Sequence, residues 1–110
     1  MSPTAYKILT REEWERLKGD GTFAGAPVDL ADGYIHLSAS DQVAETAAKH
    51  FAGRDDLVLA EVDLTKLEGV QWEPSRGGQL FPHIYGLLPL AAVVRAEALH
   101  VSTNGAMSTE

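Results

Sequence analysis

One run of the chain is apolar at almost every position, and it restricts the fold more than any other feature. It reads Leu57-Val58-Leu59-Ala60-Glu61-Val62. A strand with one face in water alternates apolar and polar side chains, whereas a continuous apolar run of this length is typical of a strand covered on both faces. The sequence therefore predicts a central strand over residues 57–62, with other elements packed on both sides of its sheet.

The chain has 110 residues and no cysteine. This length is that of one compact domain, which we assign to residues 1–101. Residues 102–110 are mostly small and polar, so they predict a flexible C-terminal tail. The lack of cysteine excludes disulfides, thiolate nucleophiles and cysteine-based metal sites, and the fold must be held together by burial alone.

The balance of charge is acidic. Lys and Arg number 9 and Asp and Glu number 16, which gives a formal net charge of -7. Proteins that bind nucleic acid through its phosphates present a basic face, so broad nucleic-acid binding is disfavoured, while a local pocket for one phosphate group is still compatible with this charge. The first residues lack the pattern of a signal peptide, and no run approaches the roughly 18 apolar residues of a membrane span. We therefore expect a cytoplasmic protein that makes no membrane contact.

The N-terminal part predicts a strand followed by a capped helix. Tyr6-Lys7-Ile8-Leu9 is a short β-prone run. Thr10-Arg11-Glu12-Glu13 follows it and matches the capping box, in which a hydroxyl and a carboxylate satisfy each other's backbone amides. Gly19-Asp20-Gly21 ends the helix, since glycine adopts the left-handed stop conformation. The connector over residues 22–32 has no period from which a conformation can be read.

A second strand is predicted over residues 34–38, which read Tyr-Ile-His-Leu-Ser. The alternation places Ile35 and Leu37 on one face, which we expect to meet the core. It leaves Tyr34, His36 and Ser38 together on the other face. A face with this polar character suits the wall of a cleft.

The remaining sequence predicts a second helix and further strands. Val43, Ala47 and Phe51 form an i, i+4, i+8 stripe, with Ser38 or Ser40 expected as its cap. Residues 70–73 are a strand candidate, and residues 91–99 read as a final strand. The pattern as a whole predicts an α+β fold with two helices packed on an antiparallel or mixed sheet.

Residues 80–85 contain Pro82. Proline has no backbone N–H to give to a sheet ladder, so this segment is expected to be an edge strand or irregular.

Arg76 is isolated in sequence. From Gly69 to Ala96 the only other charged side chains are Glu73 and Arg95. Arg76 lies beside two glycines that let a backbone approach a ligand closely, and its guanidinium makes bidentate bonds to phosphate or carboxylate. These features indicate an anion site, and the alternative is a surface loop in which Arg76 pairs with Glu73.

His36 and His83 each lie between apolar neighbours. Taken singly, each is explained as a core histidine that bonds a backbone carbonyl. Together with Ser38, Arg76 and Tyr85 they favour a cleft with apolar walls and a few polar anchors, and we expect His36, Arg76 and His83 to converge there.

Other chemistries are disfavoured. A metal site would have to use His36, Glu73 and His83, whose spacing matches no metal motif, so no metal is expected. A serine hydrolase is also disfavoured because the sequence has no G-x-S-x-G motif.

Several motifs together resemble the small bacterial family called domain of unknown function 952, over residues 5–97. The most specific is Phe81-Pro82-His83-Ile84-Tyr85-Gly86. The others are Tyr6-Lys7-Ile8-Leu9-Thr10, Asp32-Gly33-Tyr34-Ile35-His36-Leu37-Ser38, Trp72-Glu73 and Ser75-Arg76-Gly77-Gly78.

This resemblance implies a fold like that of ADP-ribosyltransferases, in which two small, mostly antiparallel sheets face each other across a cleft that holds NAD, with two helices in the N-terminal half. A more distant similarity to RNA 2'-phosphotransferases points the same way, because Ile35-His36-Leu37-Ser38 is similar to their V-H-L-S strand. The chain departs from those enzymes at Lys7 and Ile8, where they have a ribose-binding histidine and a glycine.

The resemblance implies a domain that binds NAD, ADP-ribose or a related phosphorylated nucleotide. One activity compatible with such binding is that of an NAD-dependent transferase. The expected catalytic residues are His36, His83 and Glu73. The expected ligand-binding residues are Lys7, Ser38, Arg76 and Tyr85. The alternative, which the departures at Lys7 and Ile8 motivate, is a noncatalytic interaction or regulatory domain with a protein partner that the sequence does not name.

Overall fold

The computed structural model describes residues 3–74 and 78–109. In chain order the helices and strands are β1 (Thr4–Thr10), α1 (Arg11–Asp20), β2 (Thr22–Phe23), α2 (Pro27–Asp32), β3 (Ile35–His36), α3 (Val43–His50), β4 (Leu57–Asp63), β5 (Val70–Pro74), β6 (Leu80–Ile84), β7 (Leu88–Pro89), β8 (Val93–Val101) and β9 (Met107–Thr109). Short 3-10 turns at Leu64–Lys66 and Leu90–Ala92 follow β4 and β7.

A four-stranded antiparallel sheet of order β1-β4-β8-β9 places β4 between two neighbours. The side chains of β4 alternate between two apolar clusters. Ala60 and Val62 belong to one cluster, while Leu57, with Leu59 packed beside it, belongs to the other. The prediction of a strand covered on both faces is therefore confirmed.

A second antiparallel sheet, of order β3-β6-β5, and α1 lie against one face of this sheet, and α3 covers the other. The cluster between the two sheets includes Leu9, Leu17, Ile35, Leu37 and Ile84, all of them buried. The expected inward face of β3 is thus confirmed, and β2 and β7 add a short antiparallel pair. The molecule is a small α+β protein built on antiparallel sheets.

The described part of the chain has three α-helices rather than the expected two. The additional helix, α2, comes from the connector that shows no apolar period. Its Val28 and Leu30 are exposed, and its buried residue is the polar Asp29, so periodicity could not reveal it. None of the helices in the described ranges is long and apolar enough to cross a membrane.

The helix α1 begins and ends as predicted. The Glu13 N–H donates to Thr10 Oγ1 at 3.1 Å, and the Thr10 N–H donates to Glu13 Oε1 at 2.9 Å, which completes the capping box. Gly21 ends the helix in the left-handed conformation, with φ +79.

The helix α3 lacks the expected serine cap. Gln42 occupies the N-cap position without a side-chain bond to the helix. The Ala39 N–H donates to Gln42 Oε1 instead, and Gln42 Nε2 donates to the carbonyl of Leu80. Gln42 therefore ties the start of α3 to β6.

Pro82 lies in the central strand of the three-stranded sheet, so its expected edge position is wrong. On one side it pairs with Trp72 of β5. On the other side the Leu37 N–H donates to the Pro82 carbonyl at 3.0 Å, but the reciprocal bond cannot form because proline has no N–H. The neighbouring strand β3 ends at His36, and this early end accommodates the proline.

The C-terminal segment also differs from expectation. The last strand is not the one predicted over residues 91–99, because β8 is followed by β9, which pairs with it and places Met107 opposite Val101. The segment 102–110 thus contains a paired strand where a flexible tail was expected. The composition of small and polar residues conceals the strand, since β9 lies at a sheet edge where partial exposure is tolerated.

Gly69 is required where β5 begins, and this predicts a specific loss of stability. Its φ is +75, and an added Cβ would lie 2.8 Å from the carbonyl oxygen of Tyr85. Gly69→Ala should therefore lower the free energy of unfolding by more than the roughly 1–2 kcal/mol of left-handed strain alone. The measurement is urea denaturation followed by circular dichroism.

Two other glycine substitutions serve as controls that separate left-handed strain from the clash of the added Cβ with Tyr85. Gly33 has φ +88 with nothing near its Cβ position, so Gly33→Ala should show the strain without the clash. Gly19 lies in α1 with free space around it, so Gly19→Ala should raise stability by about 0.5–1 kcal/mol. Equal losses for Gly69→Ala and Gly33→Ala would contradict the role of the contact with Tyr85.

Candidate functional site

A buried carboxylate, that of Asp29, joins three parts of the chain. Its Oδ2 accepts hydrogen bonds from Lys7 Nζ at 2.9 Å and from the Ala26 N–H at 2.8 Å. Its Oδ1 accepts from the His36 N–H at 3.1 Å and contacts His36 Nδ1 at 2.6 Å. The Asp29 side chain is fully buried, so these bonds replace the water that an ionised carboxylate otherwise needs.

The pKa of Asp29 reflects two opposed effects. Burial is the largest single influence and favours the neutral acid, but the positive charge and hydrogen bond of Lys7, with the bonds from His36 and Ala26, together hold the pKa of Asp29 below its ordinary value. Asp29 is therefore ionised at neutral pH and forms a buried ion pair with Lys7.

Lys7 faces inward because of the alternation of β1. Its neighbours Ala5 and Leu9 lie in the cluster between the two sheets, and Lys7 shares their face. Its ammonium group donates to Asp29 and, at 3.0 Å, to the carbonyl of His36. Lys7 is thus buried and holds β1 against β3, and its expected role in ligand binding stays a prediction.

Both ring nitrogens of His36 face carboxylates. Nδ1 contacts Asp29, and Nε2 lies 3.0 Å from Asp32 Oδ2. The contact with Asp29 is a hydrogen bond, and the contact with Asp32 is at ion-pair distance. Lys7, Asp29, His36 and Asp32 thus form a connected row of polar groups.

His83 is held by a second carboxylate. Its Nδ1 lies 2.8 Å from Glu73 Oε1, and the Tyr85 hydroxyl donates to the same oxygen at 2.7 Å. The bond from His83, followed by that from Tyr85, lowers the pKa of Glu73. The bond to Glu73 raises the pKa of Tyr85 to about 12, so Tyr85 keeps its proton at neutral pH.

The strands β3 and β6 bring the two histidines together. His36 pairs with His83 in the register, and their ring centroids are 5.3 Å apart. Tyr34 stacks on His83 at 4.2 Å and lies 4.7 Å from His36 and 5.2 Å from Tyr85. We call these four side chains, Tyr34, His36, His83 and Tyr85, the His–Tyr cluster.

The structure therefore brings some predicted site residues together and separates others. His36, His83, Glu73 and Tyr85 meet at the His–Tyr cluster. Ser38 is buried, and its hydroxyl bonds that of Thr46 on α3 at 2.8 Å.

Arg76, the predicted anion ligand, lies outside the described residues, so its expected convergence with the two histidines stays a prediction.

Three residues of the site were missed by the sequence analysis. Asp29 belongs to the connector without a period, where no signal marked it, whereas Asp32 stands in the motif over residues 32–38 without an assigned role. Tyr34 shares a strand face with His36, and that alternation could have identified it. In the described ranges, no group of three or more His, Asp or Glu side chains is placed to hold a metal ion.

A shallow groove of about 540 Å³ borders the His–Tyr cluster at Tyr85. Lys66, Glu68, Gly69 and Leu87 are among the residues that line it. The groove offers one cationic side chain beside an exposed tyrosine ring.

The sequence model of a family described as "Protein of unknown function (DUF952)" matches residues 8–96. The chain belongs to the DUF952 family. This confirms the resemblance that the motifs indicated, and the match contains every residue of the His–Tyr cluster. No protein among those with curated descriptions matches this DUF952 chain.

Two solved structures of protein CC0527 from Caulobacter crescentus are similar to this DUF952 protein. The X-ray crystal structure is 48% identical, with a TM-score of 0.89 and an alignment that covers 96% of this chain and 93% of that one. The solution NMR structure is also 48% identical, with a TM-score of 0.83 and coverage of 96% and 91%. The likeness extends over nearly the whole of both chains.

The Asp29 ion pair should be essential for the stability of the DUF952 fold. Asp29→Asn removes the charge that balances buried Lys7, and breaking such a pair on one side costs about 3–5 kcal/mol. Asp32→Asn is the matched control, because Asp32 is 46% exposed and surface pairs contribute at most about 1 kcal/mol. Urea denaturation measures both, and similar losses for the two variants would contradict the importance of the buried pair.

The lowered pKa of Asp29 also predicts how the DUF952 protein responds to acid. A carboxylate with a lower pKa in the folded state stabilises the fold fully above its unfolded pKa of about 4, and this stabilisation is lost as the pH falls through the folded pKa. The free energy of unfolding should therefore fall below about pH 4, and more steeply in the unaltered protein than in Asp29→Asn. Parallel pH dependences in urea denaturation from pH 7 to pH 2.5, a range of roughly 4 units around the carboxyl pKa, would contradict this assignment.

Proposed function

We propose that the His–Tyr cluster is the ligand site of an ADP-ribosyltransferase-like domain that binds NAD, ADP-ribose or a related phosphorylated nucleotide. The observation that carries this proposal is the meeting of two carboxylate-bonded histidines with two tyrosine rings, at the cross-strand pair of His36 and His83. Membership of the DUF952 family and the motif similarities to ADP-ribosyltransferases and RNA 2'-phosphotransferases add to it.

The side chains of the site fit the parts of a nucleotide. The ring of Tyr85 is 47% exposed, so a base can stack on it. The carboxylate of Glu73 and the unpartnered Nε2 of His83 offer hydrogen-bonding groups for ribose hydroxyls. We also assign to Glu73 the stabilisation of positive charge at a ribose carbon, because its lowered pKa keeps the carboxylate ionised.

The phosphate groups of such a ligand need cations. The ammonium of Lys7 is bonded to Asp29 and to a backbone carbonyl, so we assign the phosphates to other cations. Arg76 lies in the segment between β5 and β6 and is proposed as the phosphate ligand, because its planar guanidinium binds phosphate in a bidentate manner. Lys66, in the groove beside Tyr85, offers a second positive charge. NAD-dependent transfer is the reaction that this set of groups would support.

One observation favours the competing proposal of a noncatalytic interaction or regulatory domain. In the RNA 2'-phosphotransferases that the motifs resemble, a histidine stands where this chain has Lys7, and here Lys7 is part of a buried ion pair. A domain of this second kind would keep the fold and bind a protein partner at the segment that contains Arg76, without nucleotide affinity.

Nucleotide titration should distinguish the two proposals. ADP-ribose and NAD are expected to shift the imidazole NMR signals of His36 and His83 at ligand concentrations below about 1 mM. Arg76→Ala and Tyr85→Leu should each weaken ADP-ribose binding by about tenfold, which corresponds to about 1.4 kcal/mol, because one removes a charge-assisted phosphate bond and the other a stacking surface.

Arg95→Ala serves as the control, because Arg95 is exposed on β8 and pairs with Glu97. It should leave the affinity for ADP-ribose unchanged. An absence of shifts at millimolar ADP-ribose and NAD would refute nucleotide binding, and a protein complex that survives both site substitutions would support the interaction domain instead.

A further inference from the structure

His83 Nε2 is buried and has no hydrogen-bond partner, and among the residues of ranges 3–74 and 78–109 no other buried side-chain nitrogen or oxygen is left in this state. Buried polar atoms are nearly always bonded, so an orphaned one calls for an explanation. The other ring nitrogen of His83 is fully engaged with Glu73. Nδ1 of the ring is therefore held by a hydrogen bond, whereas Nε2 has none.

The bonds around Glu73 decide which nitrogen of His83 carries the proton. The Tyr85 hydroxyl keeps its proton and donates it to Glu73 Oε1. Glu73 is ionised and only accepts, so the bond from His83 must be an Nδ1–H donating to the carboxylate. In the neutral ring Nε2 then holds a lone pair and not a proton.

The groups packed around His83 leave Nε2 without a partner. From β3, the His36 ring directs its nitrogens at Asp29 and Asp32, and its centroid lies 5.3 Å from that of His83. Tyr34 stacks on the His83 ring, and on the side of β5 the Glu73 carboxylate pairs with Nδ1.

We propose that His83 Nε2 is a general base that takes the proton from a hydroxyl group or a water molecule bound at the His–Tyr cluster. Glu73 fixes the tautomer of His83 and stabilises the imidazolium that forms, and Tyr85 positions Glu73. As in a catalytic triad, a carboxylate orients a histidine that takes the proton of a hydroxyl group, but here the acceptor molecule supplies the hydroxyl. The proposal rests on the function proposed above and assigns the class of acceptor, an O–H group.

The proton and electron balance is that of a simple displacement. The O–H bond of the acceptor breaks and an Nε2–H bond forms, while the acceptor oxygen forms a bond to the ribose carbon of the nucleotide substrate. The bond from that carbon to its nitrogen base breaks, and the electron pair leaves with the base. The proton on His83 is then released to solvent. No oxidant, reductant or metal takes part.

Imidazole NMR tests the tautomer without any turnover. In the intact chain labelled with ¹⁵N-histidine, His83 should show a protonated Nδ1 and a bare Nε2 at neutral pH, with His50, exposed on α3, as the reference ring. In Glu73→Gln the amide NH₂ can donate to Nδ1, which should move the proton to Nε2. Glu68→Gln, an exposed carboxylate on the adjacent turn, should change nothing. A proton on Nε2 in the unaltered chain would overturn the proposal.

Hydrolysis of NAD, in which water is the acceptor, tests the catalytic step. His83→Gln should lower kcat by about 10²- to 10³-fold, a larger factor than the loss of ADP-ribose affinity, because Gln keeps a hydrogen-bonding side chain but cannot act as the base. Because His83 is buried and this variant could fail to fold, Glu73→Gln provides the second test and should lower kcat and shift the acidic limb of the pH–rate profile.

The outcomes separate this proposal from the one it rests on. Bound ADP-ribose with no hydrolysis of NAD by the unaltered chain, or with a kcat that neither substitution changes, would overturn the general base and leave nucleotide binding intact. A chain that binds neither ADP-ribose nor NAD would refute the proposed function itself.

Discussion

The buried pair between Asp29 and Lys7 is the interaction on which the arrangement of the site depends. One carboxylate receives a bond from β1, one from the start of α2 and two from His36 at β3. A lysine on the inner face of β1 would be strongly unfavourable in an apolar layer without this partner. The pair therefore serves less as a source of net stability, which buried pairs seldom provide, than as a fixed point that sets where β3 lies relative to the central sheet.

The chemistry of the cluster follows from that placement. Once β3 is fixed, its pairing with β6 sets His36 opposite His83, and the two carboxylates then give the rings different roles. His36 faces a carboxylate at both ring nitrogens, whereas His83 faces a carboxylate at Nδ1 only. Neighbouring groups of the same type with different environments are a common basis for acid and base functions in one site.

Much of the fold could be predicted from the sequence because local rules governed it. The capping box at Thr10, the apolar run at residues 57–62 and the alternation around His36 each depend on neighbours in sequence. What could not be predicted depends on partners distant in sequence. Asp29 is buried only because Lys7 reaches it, and Pro82 fits a central strand only because β3 stops beside it. The sequence pattern places Tyr34 on the same strand face as His36, but the stacking of Tyr34 on His83 depends on the pairing of β3 with β6.

The register of the sheets also determines when the site can form as the chain folds. The hairpins β5–β6 and β8–β9 join segments that are close in sequence, whereas β1 pairs with β4 across residues 10 to 57, and β3 pairs with β6 across residues 36 to 83. Closing long loops costs entropy before any contact compensates it, so nonlocal pairings form slowly. The pairing of β5 with β6, which carry Glu73 and His83, is therefore local. The pairing of β3 with β6, which brings His36 and Tyr34 to them, joins segments far apart in sequence. We therefore expect the cluster to be assembled late in folding and to be lost early when the long-range pairings loosen.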